Sequence, residues 1–252
     1  MNFIGIIPAR YASTRFPGKP LAVLDGRPII QHVYENAKKA LGNVWVATDD
    51  ERIAEAVTSF NGQFVMTRDD HQSGTDRCAE AVEFLAGKLE FDVVVNIQGD
   101  EPFVRSEQIN ALKSCFDDPE TEIATLVKKI EHEDVLFNPN RPKVVMDYQN
   151  NALLFSRETI PHIRGVEKSD WLARHTFYSH LGMYAYKREI LKQITKLKPS
   201  KLELAESLEQ LRWLENGFVI KVAETRFESI GIDTPEDLEA AQLFLKSNSA
   251  ER

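Results

Sequence analysis

The sequence is poor in cysteine and lacks the histidine spacings of common metal sites. Only Cys78 and Cys115 occur in 252 residues, and they form neither a CxxC pair nor a zinc-ligand spacing. The six histidines include no HExxH pair. We therefore expect two reduced, buried thiols and no zinc site.

Long apolar runs and an excess of positive charge are also missing. Nowhere do eighteen apolar residues follow one another, and the segment beginning Met1-Asn2-Phe3-Ile4 does not resemble a secretion signal. We accordingly expect a cytoplasmic protein that does not contact a membrane. The formal net charge of -8 argues against a nucleic-acid partner, which would require a basic face. Small anions held by a few local cations are still compatible with this charge.

Short β-rich runs alternate with helical patterns through the first half of the chain. Strands are predicted at 2–7, 44–47, 63–66, 93–98 and 123–128. This alternation predicts an α/β fold with a mostly parallel, Rossmann-like sheet. The run 93–98 is almost continuously apolar, which is typical of a central strand covered on both faces.

The alternation weakens between about 131 and 186, where aromatic residues, Asn, Pro and His are frequent. Short strands are predicted there at 143–146 and 180–186. We expect one domain over 1–252, with a smaller lobe inserted at about 131–186.

A single helix is predicted over 202–215. Its spacing places three leucines on one apolar face and four other residues on a neighbouring face that looks into a cleft. The leucines are Leu204, Leu208 and Leu211, and the neighbouring face comprises Glu206, Glu209, Gln210 and Trp213.

The loop after the first strand carries three cations and no acid. Arg10, Arg15 and Lys19 lie within the first 24 residues of a protein that is acidic as a whole. In an open parallel sheet, ligands bind at the carboxyl ends of the strands, where this loop must lie. Cations this close repel one another unless an anion lies between them, and arginine with lysine suits a triphosphate. The alternative is a solvated basic turn.

Two common phosphate-binding patterns are absent from this loop. A Walker loop needs a glycine five positions before Gly18-Lys19 and a serine or threonine after them, but Ser13 and Pro20 stand there. No GxGxxG follows the strand either. Kinase, ATPase and dehydrogenase activities are therefore disfavoured.

Two acids are expected at the same edge of the sheet as the basic loop. Asp100 follows the run 93–98, and Asp233 precedes a helix that Thr234 and Pro235 open. Magnesium is usually held by one or two carboxylates together with substrate phosphates. Each acid alone is equally well explained as a turn or helix-start residue. Both together, beside the basic loop, predict a magnesium site.

The segment HQSGTDR at 71–77 opens another helix. Its small and hydroxyl residues leave the first amide groups able to face an anion. Arg77 has two equally supported interpretations, as part of such a site or as the buried partner of Asp76 or another acid.

Seven segments, taken together and in this order, resemble the 3-deoxy-manno-octulosonate (Kdo) cytidylyltransferase family. They are IPARYASTRFPGKPL at 7–21, HQSGTDR at 71–77, NIQGDEP at 96–102, FSR at 155–157, HLGMYAY at 180–186, ESLEQLRW at 206–213 and GIDTPEDL at 231–238. The resemblance spans nearly the whole chain. Departures from the family's pattern are Phe16, Arg141-Pro142 and the run 161–165.

The resemblance implies a magnesium-dependent enzyme that transfers CMP from CTP to the anomeric hydroxyl of Kdo. Pyrophosphate is the other product, and the reaction serves lipopolysaccharide assembly in the cytoplasm. The family also implies a nucleotidyltransferase fold and a homodimer. It further implies that the inserted lobe at about 131–186 serves sugar binding and dimerisation. Alternatives are a cytidylyltransferase for 8-amino Kdo or sialic acid, and a nucleotide-binding regulator that does no chemistry.

Individual site residues follow from the same resemblance. The residues expected to bind CTP are Arg10, Ser13, Arg15, Lys19, Ser73, Arg77 and Gln98. Arg10, Lys19 and Asp100 are expected to act in catalysis, and Asp100 and Asp233 to hold Mg²⁺. The residues expected to bind the acidic sugar are Arg157, His180, Tyr184, Glu209 and Gln210.

Overall fold

The computed structural model describes residues 1–13, 15–228 and 231–250, without the side chains of 247–250. The strands in these ranges are β1 (Phe3–Ala9), β2 (Val23–Leu24), β3 (Arg27–Pro28), β4 (Asn43–Thr48), β5 (Phe64–Met66), β6 (Val93–Asn96), β7 (Ile123–Lys129), β8 (Lys143–Met146), β9 (Ala152–Ser156), β10 (Tyr178–Lys187) and β11 (Ile220–Glu224). The α-helices are α1 (Ile29–Lys38), α2 (Glu51–Ser59), α3 (Gly74–Leu85), α4 (Ser106–Ser114), α5 (Glu133–Leu136), α6 (Trp171–Arg174), α7 (Arg188–Ile194), α8 (Lys201–Glu206), α9 (Gln210–Glu215) and α10 (Pro235–Ala250). Short 3-10 turns cover Lys19–Leu21, Cys115–Asp117 and Lys168–Asp170.

The chain folds into two compact units. The first contains residues 1–109 and the C-terminal segment with α10, and the second contains residues 110–228. The segment 131–186, predicted as an inserted lobe, lies within the second unit.

The first unit is built on a parallel sheet with the strand order β6-β1-β4-β5. Helices connect its strands, as the alternating pattern predicted. Val93, Val94 and Val95 of β6 are fully buried, which explains the continuous apolar run. Because all four strands are parallel, their carboxyl ends meet at one edge, where the following loops gather. The predicted α/β fold class is confirmed.

Helices α2 and α3 begin at side chains that cap their first turns. The Asp50 side chain accepts a hydrogen bond from the Arg52 amide, and Ser73 and Asp76 form a reciprocal capping box. The buried side of α3 is a stripe with helical spacing made by Cys78, Ala81, Val82 and Leu85. These caps fix the loops before both helices at the carboxyl edge of the sheet.

The second unit contains a mixed sheet with the order β11-β7-β10-β8-β9. Strand β11 is parallel to β7, whereas the other pairs are antiparallel. A separate apolar cluster joins Ile130, Leu136, Trp171 and Phe177. The rings of Trp171 and Phe177 stack with their centroids 6.0 Å apart.

The prediction of one helix over 202–215 is wrong. Ser207 adopts a left-handed conformation, with φ 51° and ψ 49°, and separates α8 from α9. Of the three leucines predicted to share one apolar face, Leu204 is 69% exposed, whereas Leu208 and Leu211 are buried. The four residues predicted to share a cleft-facing side therefore do not belong to one helix.

Cys78 is free and buried, and Cys115 is free and half-buried. No helix in the described ranges is both long enough and apolar enough to cross a membrane.

Candidate active site

The loop 10–19 follows β1, and its described residues, 10–13 and 15–19, fold back around Tyr11. The Tyr11 carbonyl accepts hydrogen bonds from the amides of Ser13 and Gly18, each 2.9 Å long. Gly18 has φ 72°, and a Cβ atom there would lie 3.0 Å from the Tyr11 ring. Glycine therefore satisfies both the backbone conformation and the close approach.

A cavity of about 300 Å³ opens at the carboxyl ends of β1 and β6, beside the first turn of α3. It lies entirely within the first unit. All of the residues predicted to bind CTP or magnesium line it. They are Arg10, Ser13, Arg15, Lys19, Ser73, Arg77, Gln98, Asp100 and Asp233.

Lys19 joins the two acids predicted to hold the metal. Its Nζ donates to Asp100 Oδ2 at 2.6 Å and to Asp233 Oδ1 at 3.0 Å. Burial lowers the pKa of Lys19, but the two carboxylates raise it by more, so its pKa lies above the ordinary value. The ammonium is therefore charged and held between two anions.

The two arginines of the loop differ in their partners. Arg15 Nη2 donates to Asp233 Oδ2 at 3.0 Å, although both side chains are exposed. Arg10 is exposed and forms no ion pair with any residue that the structure describes. Burial raises the pKa of Asp233, but the charges of Lys19 and Arg15 lower it below the ordinary value. Asp100 and Asp233 thus neutralise part of the positive charge of the loop. Arg10, which has no acidic partner among the described residues, can bind an incoming anion.

Backbone contacts bring Asp100 and Asp233 to the same place. A Cβ at Gly99 would lie 2.8 Å from the Pro8 carbonyl oxygen, so only glycine permits this approach of the turn to β1. The amide of Ile232 donates to the Asp100 carbonyl at 2.9 Å.

The cap of α10 then fixes Asp233. The Asp237 carboxylate accepts hydrogen bonds from the amides of Asp233 and Thr234, both 2.9 Å long. The Thr234 hydroxyl accepts one from the Asp237 amide at 3.2 Å. The predicted helix start at Thr234 and Pro235 is confirmed.

The donor set fits magnesium in part. Asp100 Oδ2 and Asp233 Oδ1 lie within 3.0 Å of one nitrogen, so both carboxylates already converge on a single cation. Among the described residues, no group of three acidic, histidine or cysteine side chains could hold a metal alone. Two carboxylates suit an ion that takes its remaining ligands from phosphates and water.

The first turn of α3 forms another wall of the cavity. Ser73 Oγ accepts from the Asp76 amide at 3.1 Å, and Asp76 Oδ2 accepts from the Ser73 amide at 3.2 Å. Ser73 thus has a structural role as a helix cap, and its hydroxyl proton is not used by this cap. The positive end of the helix dipole favours an anion here.

Arg77 is a buried structural residue that also borders the cavity. Its guanidinium donates to Thr67 Oγ1 at 2.6 Å, to the Arg68 carbonyl at 3.3 Å and to Asp49 Oδ2 at 2.9 Å. Of the two interpretations left open by the sequence, the geometry supports the buried ion pair. The partner is Asp49, not Asp76.

His71 borders the cavity and was not predicted as a site residue. Its side chain is 6% exposed, and its Nε2 pairs with Glu80 Oε2, which also accepts from the Arg68 amide at 2.9 Å. Burial raises the pKa of Glu80, but His71 and Arg68 lower it below the ordinary value. The segment HQSGTDR contained the signal, but nothing in its spacing identified Glu80.

The residues predicted to bind the sugar lie in the second unit. The Arg157 guanidinium donates to the carbonyls of Pro139, Glu206 and Ser207, at 3.0, 2.6 and 3.3 Å. No ion pair to a carboxylate accompanies these bonds among the described residues. Its charge is therefore available to an acidic ligand.

His180 is held between two aromatic rings. Its ring centroid lies 4.9 Å from that of Phe155 and 5.4 Å from that of Tyr184, and Nε2 lies 3.0 Å from Thr125 Oγ1. Burial lowers the pKa of His180 to about 3. The imidazole is neutral at physiological pH and suits hydroxyl groups better than a carboxylate.

Tyr184, Glu209 and Gln210 complete the predicted set. Burial, with the charge of Glu209, raises the pKa of Tyr184 far above its ordinary value. In the described part of the chain, the Tyr184 hydroxyl and Gln210 Nε2 are buried without a hydrogen-bond partner. Glu209 Oε1 accepts from Arg212 Nη2 at 2.8 Å. Buried polar atoms without partners are costly, and the hydroxyl groups of a sugar would satisfy them.

Comparison with known proteins identifies the family. Residues 4–230 match the family model described as Cytidylyltransferase. A 3-deoxy-manno-octulosonate cytidylyltransferase of Parabacteroides distasonis is 61% identical over 97% of this chain and 98% of its own. Another, of Bacteroides thetaiotaomicron, is 60% identical over 99% of this chain and 100% of its own. The chain belongs to the 3-deoxy-manno-octulosonate cytidylyltransferase family.

A solved structure supports the same family membership. It is a CMP:2-keto-3-deoxy-manno-octonic acid synthetase complexed with CTP. The two sequences are 40% identical, and the two structures match with a TM-score of 0.90. The match covers 98% of this chain and 100% of the solved chain. The family predicted from the seven segments is confirmed, together with its α/β nucleotidyltransferase fold and its cytidylyltransferase class.

Proposed function

We propose that this chain transfers CMP from CTP to the anomeric hydroxyl, at C2, of Kdo and releases pyrophosphate. One observation carries the proposal. The residues that the family resemblance assigns to CTP and metal all line one cavity, in a chain 61% identical to a 3-deoxy-manno-octulosonate cytidylyltransferase.

The triphosphate would lie along the loop 10–19 and the first turn of α3. Arg10 has no ion-pair partner among the described residues, so it can bind a phosphate without first leaving an acid. Arg15 and Lys19 are paired to acids and would exchange part of this contact for phosphate oxygens. These cations then stabilise the charge that develops on the departing pyrophosphate.

We assign Asp100 and Asp233 as the ligands of Mg²⁺. When bound there, the ion supplies Lewis-acid stabilisation of the phosphate oxygens and makes the attacking hydroxyl more acidic. Lys19 must then share or release at least one carboxylate, since both now contact its ammonium.

The sugar hydroxyl attacks the α-phosphorus in line with the bond to the departing pyrophosphate. A bond forms between the C2 oxygen and phosphorus, the bond from phosphorus to the bridging oxygen breaks, and the hydroxyl proton passes to solvent water. No covalent intermediate on the protein is required. The chain contributes positioning and electrostatic stabilisation.

Sugar binding is assigned to the second unit by family resemblance. Arg157 would pair with the sugar carboxylate, since its guanidinium has no carboxylate partner among the described residues. Tyr184 and Gln210 would satisfy their buried polar atoms on sugar hydroxyls. His180 and Glu209 belong to the same assignment. A homodimer, a cytoplasmic location and a role in lipopolysaccharide assembly are proposed on resemblance alone.

The deciding experiment measures pyrophosphate release while nucleotide, sugar and metal are varied. We expect release with CTP, Kdo and Mg²⁺, and little release when UTP or ATP replaces CTP. Using 8-amino Kdo or sialic acid in place of Kdo tests the alternative sugars. Release with UTP and a sugar phosphate, but none with CTP and Kdo, would overturn the proposal.

An Asp100→Asn variant tests the metal assignment. It removes a carboxylate charge with little change in shape, and we expect at least about a hundredfold loss of turnover, a magnitude typical of lost electrostatic stabilisation. Its circular dichroism should match that of the unmodified protein, because Asp100 lies at the edge of the core. Near-normal turnover at saturating Mg²⁺ would exclude Asp100 as a ligand.

A further inference from the structure

The loop 10–19 is supported from outside the cavity by Arg52, in the first turn of α2. The Cζ atom of Arg52 lies 3.3 Å from the centroid of the Tyr11 ring. A guanidinium over an aromatic face is attracted by the ring's negative π surface. Neither Arg52 nor Tyr11 lines the cavity, so this contact is separate from the residues that would bind CTP.

Asp50 fixes the guanidinium over the ring. Arg52 Nε donates to Asp50 Oδ1 at 2.9 Å, and Nη2 donates to Asp50 Oδ2 at 2.6 Å. These two bonds match the fork of the guanidinium to both carboxylate oxygens. They also hold the pKa of Asp50 below its ordinary value. Asp50 caps α2 as well, so the position of Arg52 is tied to the start of that helix.

Tyr11 connects this support to both ends of the loop. Its carbonyl binds the amides of Ser13 and Gly18, and its ring fills the space where a side chain at Gly18 would lie. A shift of the Tyr11 ring would therefore move the start of the loop and the turn that carries Lys19.

We propose that Arg52 is a positioning residue for CTP, which clamps the Tyr11 ring and keeps the loop 10–19 in the form that receives the triphosphate. This inference rests on the proposed function. Arg52 does not line the cavity, so its loss should weaken CTP binding without slowing the chemical step. Once CTP is bound, its phosphates hold the loop.

The kinetic test compares Arg52→Gln and Asp50→Asn with the unmodified protein. Arg52→Gln removes the cation. Asp50→Asn keeps a residue able to cap α2 but removes the bidentate ion pair with Arg52. We expect KM for CTP to rise about two- to fivefold in both, as for loss of an exposed cation-π contact. The kcat and the KM for Kdo should stay unchanged.

Matched variants separate this role from a general loss of structure. Glu55→Gln changes an exposed charge on the same helix and should leave every constant unchanged. Arg52→Lys should recover part of the affinity, because it keeps the charge but not the fork. Unchanged KM for CTP in both Arg52→Gln and Asp50→Asn would overturn the proposal, as would a fall in kcat at constant KM.

A second test needs no turnover. Trypsin cleavage between Arg15 and Phe16 is followed by mass spectrometry, first without nucleotide and then with CTP. The nucleotide-free Arg52→Gln protein should be cut about two- to fivefold faster than the unmodified protein, and saturating CTP should reduce this difference. Equal rates without nucleotide would overturn the proposal for Arg52. A protein that releases no pyrophosphate with CTP and Kdo fails the proposed function, yet its cleavage rates still decide the role of Arg52.

Discussion

The ammonium of Lys19 and a metal ion would compete for the same two carboxylates, those of Asp100 and Asp233. In Lys19→Met, Asp100 and Asp233 lose the ammonium that now separates them, and repulsion between them makes a divalent cation more favourable. We expect Mn²⁺ to bind about tenfold more tightly without nucleotide, a change of about 1.4 kcal/mol. Electron paramagnetic resonance of free Mn²⁺ measures this, and KM for CTP should rise in the same variant.

Arg15→Met is the matched control for Lys19→Met, because it removes a more exposed ion pair with only one of the two acids. Its effect on Mn²⁺ binding should be the smaller one. If Mn²⁺ bound Lys19→Met no better than the unmodified protein, competition between lysine and metal would be refuted.

His180 should make the protein less stable in mild acid. A histidine in the unfolded chain has a pKa near 6.5, whereas burial lowers the pKa of His180 to about 3. Between these values the unfolded chain binds a proton that the folded chain does not, so stability falls as pH falls below about 6.5. From pH 7 to pH 5, this residue should lower the free energy of unfolding by about 2 kcal/mol.

Urea unfolding of the unmodified protein and of His180→Gln at both pH values tests this expectation. The difference in unfolding free energy between pH 7 and pH 5 should shrink by that amount in the variant. The control is His132→Gln, at an exposed histidine of the same unit, which should keep the original difference. An equal pH dependence in all three proteins would contradict a neutral His180 in the folded chain.

The sequence predicted which edge of the sheet holds the charges but not their pairings. Cations after one strand and acids after others must meet in a parallel sheet. The contacts of Lys19 span 81 and 214 residues, and the Asp49 partner of Arg77 lies 28 residues away. Such pairs depend on side-chain positions that only tertiary packing determines, so local spacing suggested Asp76 for Arg77 and missed Asp49.

At the scale of elements, every predicted strand overlaps an observed one, but β2, β3, β9 and β11 were not predicted, and strand ends were predicted less well. Strand β8 has the predicted bounds, whereas β1 continues two residues beyond the predicted end at 7. Pro8 and Ala9 remain in the strand because β4 still pairs with them, through Ala47 and Thr48. A proline has no amide to donate, so its local signal favours an end that the neighbouring strand overrides.

The break between α8 and α9 was not predictable from hydrophobic spacing. The leucine pattern continues through Ser207, and serine does not mark a helix end as glycine does. The left-handed backbone at Ser207 is costly for a residue with a side chain. Its carbonyl, however, accepts a hydrogen bond from Arg157 at 3.3 Å, which favours keeping this turn.

Substitutions at Ser207 should reveal the cost of that conformation. Ser207→Gly should raise the free energy of unfolding by roughly 0.5 kcal/mol, and Ser207→Val should lower it by about 1–2 kcal/mol. Chemical unfolding at pH 7 measures both. A valine variant as stable as the glycine variant would mean that the turn is not left-handed in solution.

On the scale of the whole molecule, the net charge is -8, yet three cations, Arg10, Arg15 and Lys19, line the cavity. Anion binding here therefore depends on local arrangement and not on overall charge. The residues expected to bind CTP belong to the first unit, and those expected to bind the sugar belong to the second. Each substrate can thus be tested for its own footprint along the chain.

Hydrogen exchange with CTP and Kdo added in turn measures these footprints. CTP with Mg²⁺ should protect peptides covering 8–20, 71–77 and 97–100, and Kdo added without CTP should protect peptides around 157, 180–184 and 209–210. At a CTP concentration of one hundred times its Kd, binding contributes about 2.7 kcal/mol of stability and should raise Tm by roughly 5–10 °C. Lys19→Met should lose most of this shift at the same CTP concentration, because it lacks a phosphate contact. If CTP raised Tm without protecting 8–20, the nucleotide would bind elsewhere, and the assignment of the first loop would be wrong.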